Sequence, residues 1–212
     1  MPETLRHHSS RQHRKALVAQ VAFDVFCRYG IEGATMQRVA DAAQVGVASV
    51  YRYYETKFDL ALASALWVWE TKIHPLLPQN HDEAHTGFEH IRELLSVILI
   101  LMDKDAEVLR FLEYFDNFVV SQHIPADRLT DYNRSLEKAK PFVIEAFQKG
   151  QRDGSIRQDR DGVEFYYVTA RTLMSLAQKL LLRGHVVETD DMIGAQTQVE
   201  FVIDMAMHYL KP

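Results

Sequence analysis

The sequence of 212 residues lacks the features that mark secreted and membrane-spanning proteins. Its one cysteine, Cys27, cannot form an internal disulfide, and simple packing is its expected role. The longest apolar stretches, such as residues 96–102, are far shorter than the roughly 18 apolar residues that a membrane-spanning helix needs. The N-terminus lacks the apolar stretch and cleavage site of a secretory signal. We therefore expect a cytoplasmic protein without a membrane span.

Signals of β-structure are also missing. The chain shows no sustained alternation of apolar and polar residues and no Asn-Gly or Asp-Gly turn, and it holds only six prolines and nine glycines. With 47% hydrophobic and 25% charged residues, the composition is that of an ordinary globular protein. The sequence predicts an all-α fold.

Apolar residues recur at three- and four-residue steps, which predicts a series of helices. Helix one buries a stripe that includes Leu17 and Tyr29, and Gly30 ends it. Thr35 is the N-cap of a short helix two. Further helices are predicted from Phe58 toward Pro75 and near 87–102, 105–120, 126–150, 161–183 and 190–210, with Pro141 kinking or interrupting its helix.

Residues 35–54 have the length and spacing of a helix-turn-helix. The periodicity of helix three turns Val47, Val50, Tyr51 and Tyr54 inward. The opposite face presents small residues that allow a close approach to base edges, an arginine that reaches a guanine or a phosphate, and a tyrosine hydroxyl. These residues are Ala48, Ser49, Arg52 and Tyr53. On periodicity alone, a short amphipathic helix with a solvated face is the preferred interpretation.

Charge is unevenly distributed along the chain. Residues 1–60 hold eight Lys and Arg against six Asp and Glu, a balance of +2, whereas residues 61–212 hold 16 against 23, a balance of −7. A basic N-terminal part followed by an acidic remainder is expected if only the N-terminal part contacts nucleic acid.

A pattern of defined residue types identifies a resemblance over about residues 11–60. It reads Gly30-x-x-Gly33-Ala34-Thr35-Met36-x-x-Val39-Ala40-x-x-Ala43-x-Val45, then Val50-Tyr51-x-Tyr53-Tyr54-x-x-Lys57-x-x-Leu60. It resembles the DNA-binding domain of TetR family transcriptional regulators. The resemblance implies a three-helix DNA-binding domain with a helix-turn-helix at 1–57. A larger helical ligand-binding and dimerisation domain at 58–212 would follow it.

The resemblance also implies which residues contact double-stranded operator DNA. Thr35 would cap helix two and touch a phosphate, and Lys57 would bind a phosphate from the start of helix four. The start of helix two and the recognition helix would supply Gln37, Arg38, Ala48, Ser49, Tyr51, Arg52 and Tyr53. Gln44 stands where the family usually has glycine, and Gly46 stands where it has a Ser or Thr cap. Gln44 is therefore expected to adopt a left-handed conformation, unless the turn shifts toward Gly46.

The acidic part of the chain, residues 61–212, is rich in aromatic residues, which form either plain core or a ligand pocket. The resemblance favours a pocket between the middle helices for a small hydrophobic effector that releases a repressor from its operator. The candidate ligand-binding residues are Trp67, Trp69, Phe88, Phe111, Tyr114, Phe115, Phe118, Phe142, Tyr166 and Tyr167.

The last two predicted helices are apolar on more than one side. A surface helix needs one apolar face, so the surplus predicts a homodimer through residues 161–210, with Leu173 and Val202 at the contact. The alternative is a pair of helices fully buried within a monomer.

No motif of a common enzyme class is present, and we predict neither catalytic residues nor a cofactor. His81, His85 and His90 with Asp82, Glu83 and Glu89 have no clear ligand spacing, so a solvated loop is preferred to a metal site. The alternatives are a helical metal-dependent protein that uses these histidines, and a ligand-binding dimer without DNA-binding activity.

Overall fold

The computed structural model describes residues 3–78, 84–186 and 188–212. None of these residues forms a strand, so the predicted all-α fold is confirmed. The helices are α1 (Glu3–Gly33), α2 (Met36–Ala42), α3 (Val47–Tyr53), α4 (Lys57–Val68), α5 (Gly87–Lys104), α6 (Ala106–Ser121), α7 (Thr130–Leu136), α8 (Lys140–Asp153), α9 (Gly162–Arg183), α10 (Glu188–Asp191) and α11 (Ala195–Leu210). None of the helices in these ranges is long and apolar enough to cross a membrane.

The chain forms two compact units. Unit 1 comprises residues 1–71 and 111–135, and unit 2 comprises residues 72–110 and 136–212. The functional division at 57/58 that the sequence predicts is a different partition, and it stays a prediction.

Unit 1 is built on the packing of α1 against α4 and α2. Phe26 is fully buried, and its ring stacks on that of Phe111 with 6.2 Å between centroids. The hydroxyl of the buried Ser64 on α4 donates a hydrogen bond of 2.8 Å to the carbonyl oxygen of Ala19 on α1. These contacts fix α4, the helix that follows the helix-turn-helix, against α1.

In unit 2, α5 packs against α8, α9 and α11. The crossing of α5 and α8 is tight at Gly87, where an added Cβ atom would meet the backbone of Ala146 and Gly150. One carboxylate oxygen of Asp153, the last residue of α8, accepts a hydrogen bond of 2.9 Å from the Gly87 amide. The two helices are therefore joined by backbone contact and by a charge-assisted hydrogen bond at the start of α5.

Several local predictions are confirmed. The backbone leaves the helical conformation at Gly30, with φ 69° and ψ 160°, and the side chain of Thr35 accepts a hydrogen bond from the Arg38 amide as the N-cap of α2.

Others are wrong. Leu17 and Tyr29 are exposed rather than buried, because the inward face of α1 runs through Val18, Ala22 and Phe26. The predicted helix 126–150 is divided among a 3-10 turn at Ala126–Leu129, α7, a second 3-10 turn at Glu137–Ala139 and α8. The interruption expected at Pro141 is confirmed, because the 3-10 turn ends directly before α8 and Pro141 lies in the first turn of α8, where its missing amide costs no helical hydrogen bond.

Candidate nucleic-acid interface

The turn between α2 and α3 depends on one left-handed residue. Gln44 has φ 55°, and the Val45 amide donates a hydrogen bond of 3.0 Å to the carbonyl oxygen of Ala40, which closes the end of α2. The left-handed conformation expected for Gln44 is therefore confirmed. A residue with a Cβ atom in this region costs on the order of 1 kcal/mol relative to glycine.

The inner side of α3 is held by Val50 and Tyr54. Val50 is fully buried, and the hydroxyl of the buried Tyr54 donates a hydrogen bond of 2.8 Å to the carbonyl oxygen of Lys15 on α1. Burial raises the pKa of the Tyr54 phenol well above its ordinary value, so the hydroxyl stays a neutral donor. These contacts anchor the C-terminal end of α3 to α1.

The outer side of α3 presents the predicted contact residues. Ala48 and Arg52 are exposed, and Ser49 and Tyr53 are half-buried. Arg52 Nη2 donates a hydrogen bond of 3.1 Å to Ser49 Oγ, and the guanidinium lies 5.5 Å from the centre of the Tyr53 ring. The guanidinium is thus oriented on the surface with donors to spare for a base or a phosphate.

Tyr51 departs from the predicted inward position, since its side chain is 54% exposed. Successive helix residues are about 100° apart, so Tyr51 lies at the edge of the buried stripe centred on Val50 and Tyr54. Its ring extends outward and joins the exposed surface of α3.

The residues of α2 extend this surface. Thr35, Gln37 and Arg38 are all exposed. Gln37 Nε2 donates a hydrogen bond of 2.7 Å to Asp41 Oδ1, and the Arg38 guanidinium lies 4.4 Å from the centre of the Tyr29 ring. We call the outer side of α2 and α3, from Thr35 to Tyr53, the α2–α3 face.

Lys57, predicted to bind a phosphate, makes contacts that the sequence did not suggest. Its Nζ atom donates hydrogen bonds to the carbonyl oxygens of Glu32 and Ala34, at 2.9 and 3.2 Å, and lies 5.7 Å from the centre of the Phe118 ring. Partial burial lowers the pKa of the ammonium, and the charge of Glu32 opposes that shift. Lys57 therefore ties the start of α4 to the end of α1.

The aromatic residues predicted to bind a ligand fall into both units. Phe111 and Phe115 are fully buried in the core of unit 1, and Phe115 packs edge-on against Tyr132. Trp67, Trp69, Tyr114 and Phe118 also belong to unit 1, whereas Phe88, Phe142, Tyr166 and Tyr167 belong to unit 2.

Phe118 also lines an open cleft of about 610 Å³ in unit 1. Apolar surface comes from Phe58, Phe118 and Ile124, and positive charge comes from Lys57 and Arg128. Arg128 Nη2 donates a hydrogen bond of 2.7 Å to Asp59 Oδ1, and its guanidinium lies 5.0 Å from the centre of the Phe58 ring. The cleft thus combines a hydrophobic wall with two cations beside the first turn of α4.

Large apolar side chains are exposed on α9 and α11 in unit 2. Val168 on α9 is 60% exposed, and Phe201 and Met205, one turn apart on α11, are 66% and 58% exposed. Leu173, which we expected at a subunit contact, is buried inside its own chain. The exposed apolar surface of α11 therefore runs through Phe201, Met205 and Tyr209, and we call these three residues the α11 patch.

Comparison with known proteins places this geometry in a family. Residues 19–64, which include the whole of α2 and α3, match the family model of bacterial regulatory proteins of the tetR family. No curated protein sequence matches the chain.

Solved structures extend the similarity to the full length. FadR from Bacillus subtilis in complex with stearoyl-CoA is 14% identical, with a TM-score of 0.67 over 92% of this chain and 98% of that one. AibR in complex with isovaleryl coenzyme A and operator DNA is 17% identical, with a TM-score of 0.58 over 94% and 98%. A putative TetR-family regulator from Mesorhizobium loti is 17% identical, with a TM-score of 0.61 over 93% and 95%. Residues 19–64 therefore match the TetR family of transcriptional regulators, and over most of its length the chain has the fold of these solved structures.

Proposed function

We propose that this protein is a non-enzymatic, homodimeric repressor that binds a palindromic operator through the α2–α3 face. The observation that carries the proposal is the outer side of α3. There, small residues leave room for base edges while Arg52 is oriented by Ser49 and Tyr53. Arginine in this position suits bidentate contact with guanine in the major groove.

Dimerisation through residues 161–210 is the second element of the proposal. The exposed apolar surface of the α11 patch, together with Val168, supports it, because such side chains on a surface favour a protein partner. A two-fold dimer requires an operator of two inverted half-sites about 34 Å apart, or a multiple of that distance.

Binding of genomic DNA fragments, followed by footprinting of the retained ones, tests the DNA-binding function. Arg52→Ala should weaken operator binding by about 1–3 kcal/mol, roughly 5- to 150-fold, and relax specificity at one position of each half-site. Arg134→Ala is the matched control, because Arg134 is an exposed arginine of α7 that pairs with Asp131. Equal operator affinity for the Arg52 variant and the control would contradict this use of α3.

The oligomeric state is tested by sedimentation of variants in the α11 patch. Phe201→Glu and Met205→Glu should convert the dimer to a monomer at micromolar concentration, since they bury charge in the contact. Glu200→Gln, on the adjacent exposed position, should leave the dimer unchanged. A monomeric parent chain, or a dimer that tolerates both glutamates, would contradict the proposed interface.

For the effector, we propose a molecule with a hydrophobic chain and an anionic group. The cleft beside Lys57 and Arg128 offers both chemistries, and its volume is within the range of small-molecule sites. The structures of FadR with stearoyl-CoA and of AibR with isovaleryl coenzyme A make acyl-CoA compounds the first candidates.

Release of the operator would follow from the contacts that the effector replaces. An anion that binds Lys57 and Arg128 competes with the carbonyl oxygens at the end of α1 and with Asp59 at the start of α4. The first contact holds α4 against α1, and the second holds α4 against the 3-10 turn at Ala126–Leu129, both within unit 1. The effector can lower DNA affinity by no more than the ratio of its own affinities for the conformation that does not bind DNA and the one that does. This ratio is typically about 5- to 150-fold.

Calorimetry with stearoyl-CoA and isovaleryl-CoA, with and without operator DNA, tests this regulation. Linkage requires that operator DNA lower the affinity for the acyl-CoA by the same factor by which the acyl-CoA lowers the affinity for the operator. Arg128→Ala should reduce acyl-CoA binding, and Arg134→Ala should not. Equal acyl-CoA affinity in the two titrations would contradict the allosteric mechanism.

A further inference from the structure

A cluster of two histidines and one glutamate lies at the start of α5 in unit 2. His85 precedes the helix, and His90 and Glu93 lie three residues apart on one side of it. Their candidate ligand atoms all lie within 4.8 Å of one another. His85 Nδ1 is 2.8 Å from Glu93 Oε1, and the two imidazole rings are 5.8 Å apart between centroids.

We propose that His85, His90 and Glu93 bind a divalent transition-metal ion, with Zn²⁺ as the best match. Two imidazoles and one carboxylate form a ligand set that zinc uses when a fourth position is left open to water or another ligand. Ca²⁺ and Mg²⁺ are poor candidates, because they prefer six or more oxygen ligands.

A capping box holds the backbone at the start of α5, next to His85. Thr86 and Glu89 form a capping box, in which the Thr86 side chain accepts a hydrogen bond from the Glu89 amide and the Glu89 side chain accepts one from the Thr86 amide. This box fixes the residue after His85 to the first turn of α5, so the approach of His85 to His90 does not depend on a free loop. Preorganised ligands lower the entropy cost of binding.

Burial and charge in the cluster both suit a cation. His90 is 1% exposed and lies on the buried side of α5. His85 and Glu93 are close to half-exposed, which leaves a path for an ion. The carboxylates of Glu93 and Glu89, the latter close enough for its charge to interact with both histidines, offset the two positive charges of the ion.

The geometry requires a small adjustment. With zinc bonds of about 2.0–2.1 Å, ligand atoms in a tetrahedral site are about 3.4 Å apart. A separation of 4.8 Å must therefore contract by about 1.4 Å, while His85 and Glu93 move slightly apart. Both of these side chains have solvent on one side and can rotate. The ion would replace the direct contact between them.

Sequence reasoning considered His85 and His90 but preferred a solvated loop, and it did not consider Glu93. The sequence signal for Glu93 was the spacing His90-x-x-Glu93 on a helix. This spacing becomes informative only when His85 is known to lie beside both residues. His81, Asp82 and Glu83, three further members of that group, lie outside the described residues.

Titration of the untagged full chain with Co²⁺, a spectroscopic substitute for Zn²⁺, tests the site. His7, His8 and His13 should first be replaced by glutamine, because histidines so close in sequence can bind metal ions on their own. In this background we expect one equivalent of Co²⁺ with the visible absorption of a four-coordinate ion, displaced by Zn²⁺. His85→Gln and Glu93→Gln should each weaken binding by at least about 10- to 100-fold, the loss typical for changes even outside the ligand sphere.

His123→Gln is the matched control, since His123 is an exposed histidine outside the cluster, and it should bind Co²⁺ like the background. Thermal unfolding is the second readout: Zn²⁺ should raise Tm in the background and in the control but not in the His85 and Glu93 variants. These two variants are preferred to a change at the buried His90 because they leave the core intact. Absence of a one-to-one complex in the background, or a complex unaffected by both substitutions, would overturn the proposal.

Discussion

The Nζ atom of Lys57 lies 2.9 Å from the main-chain carbonyl oxygen of Glu32. The last carbonyl groups of a helix have no partner inside the helix, so a lysine that reaches them acts as a C-terminal cap. A protonated ammonium has three donors, of which Lys57 uses two on Glu32 and Ala34. One donor is left for a phosphate, so Lys57 can both hold α4 against α1 and contact DNA.

Replacement of Lys57 separates these two roles. Lys57→Ala should lower Tm by about 2–4 °C, the shift that about 1 kcal/mol produces in a chain of this size, because the capped carbonyls lose a donor. It should also weaken binding to all DNA sequences alike, and it should reduce the slope of log affinity against log salt concentration by about one. Lys104→Ala, at an exposed lysine of α5, should change neither property. An unchanged Tm would argue against the cap, and an unchanged salt dependence would argue against the phosphate contact.

The left-handed turn residue offers a stabilising substitution. Gln44→Gly should raise the free energy of unfolding by up to about 1 kcal/mol, because glycine adopts φ 55° without steric cost. Operator affinity should stay within twofold if the turn keeps its shape. Gln44→Ala, which retains the Cβ atom, should give no such gain in urea unfolding. A glycine variant no more stable than the alanine variant would show that the conformation of Gln44 carries no strain.

The crossing of α5 and α8 predicts an order of stability among three glycine variants. Gly87→Ala should cost about 3 kcal/mol or more, because its Cβ atom would meet backbone atoms of Ala146 and Gly150 that cannot move alone. Gly150→Ala should cost less, because its Cβ atom would meet the side chain of Ile156. Gly33→Ala should be close to neutral, since nothing lies within 4 Å of the added atom. Urea unfolding measures the order, and a Gly87 variant as stable as the Gly33 variant would contradict the tight crossing.

The contact between Asp153 and the start of α5 predicts a dependence of stability on pH. Burial tends to raise the pKa of Asp153, but hydrogen bonds from Ser155 and from the Gly87 amide outweigh it, so the pKa lies below its ordinary value. The stabilisation is therefore present above the unfolded-state pKa of about 3.9 and is lost as the pH falls through the lower folded-state pKa.

Asp153→Asn should accordingly lower Tm at pH 7 by about 2–4 °C, and the difference from the parent should shrink below about pH 4. Asp131→Asn is the control, because Asp131 is an exposed aspartate that pairs with Arg134 on the surface of α7. A difference for Asp153 that stays constant from pH 7 to pH 3 would mean that its charge contributes nothing.

The sequence predicted the elements near the proposed DNA-contact residues well, because the signals there are local. Thr35 as an N-cap, Gly30 as a helix end and Gln44 as a left-handed residue each follow from the conformational preference of one residue type at one position.

Predictions failed where burial depends on a neighbouring helix. Tyr51 and Leu173 both fit an apolar stripe, yet Tyr51 lies at the edge of its stripe and is exposed, whereas Leu173 faces the interior of its own chain. The aromatic run of α6 could not be divided into core and ligand-binding residues for the same reason, since Phe111 and Phe115 are core only because α1 and α7 supply partners. The helix predicted at 126–150 failed because apolar spacing continues across its 3-10 turns.

The two tyrosines at the end of the helix-turn-helix also differ sharply in their access to solvent. Tyr51 is 54% exposed, whereas Tyr54 is 4% exposed and its hydroxyl is bound to Lys15. A reagent that nitrates phenol rings in water can therefore reach Tyr51 and not Tyr54 while the chain is folded. Tyr51 thus provides a natural chemical label on the outer side of α3, and Tyr54, three residues away, provides its internal reference for unfolding.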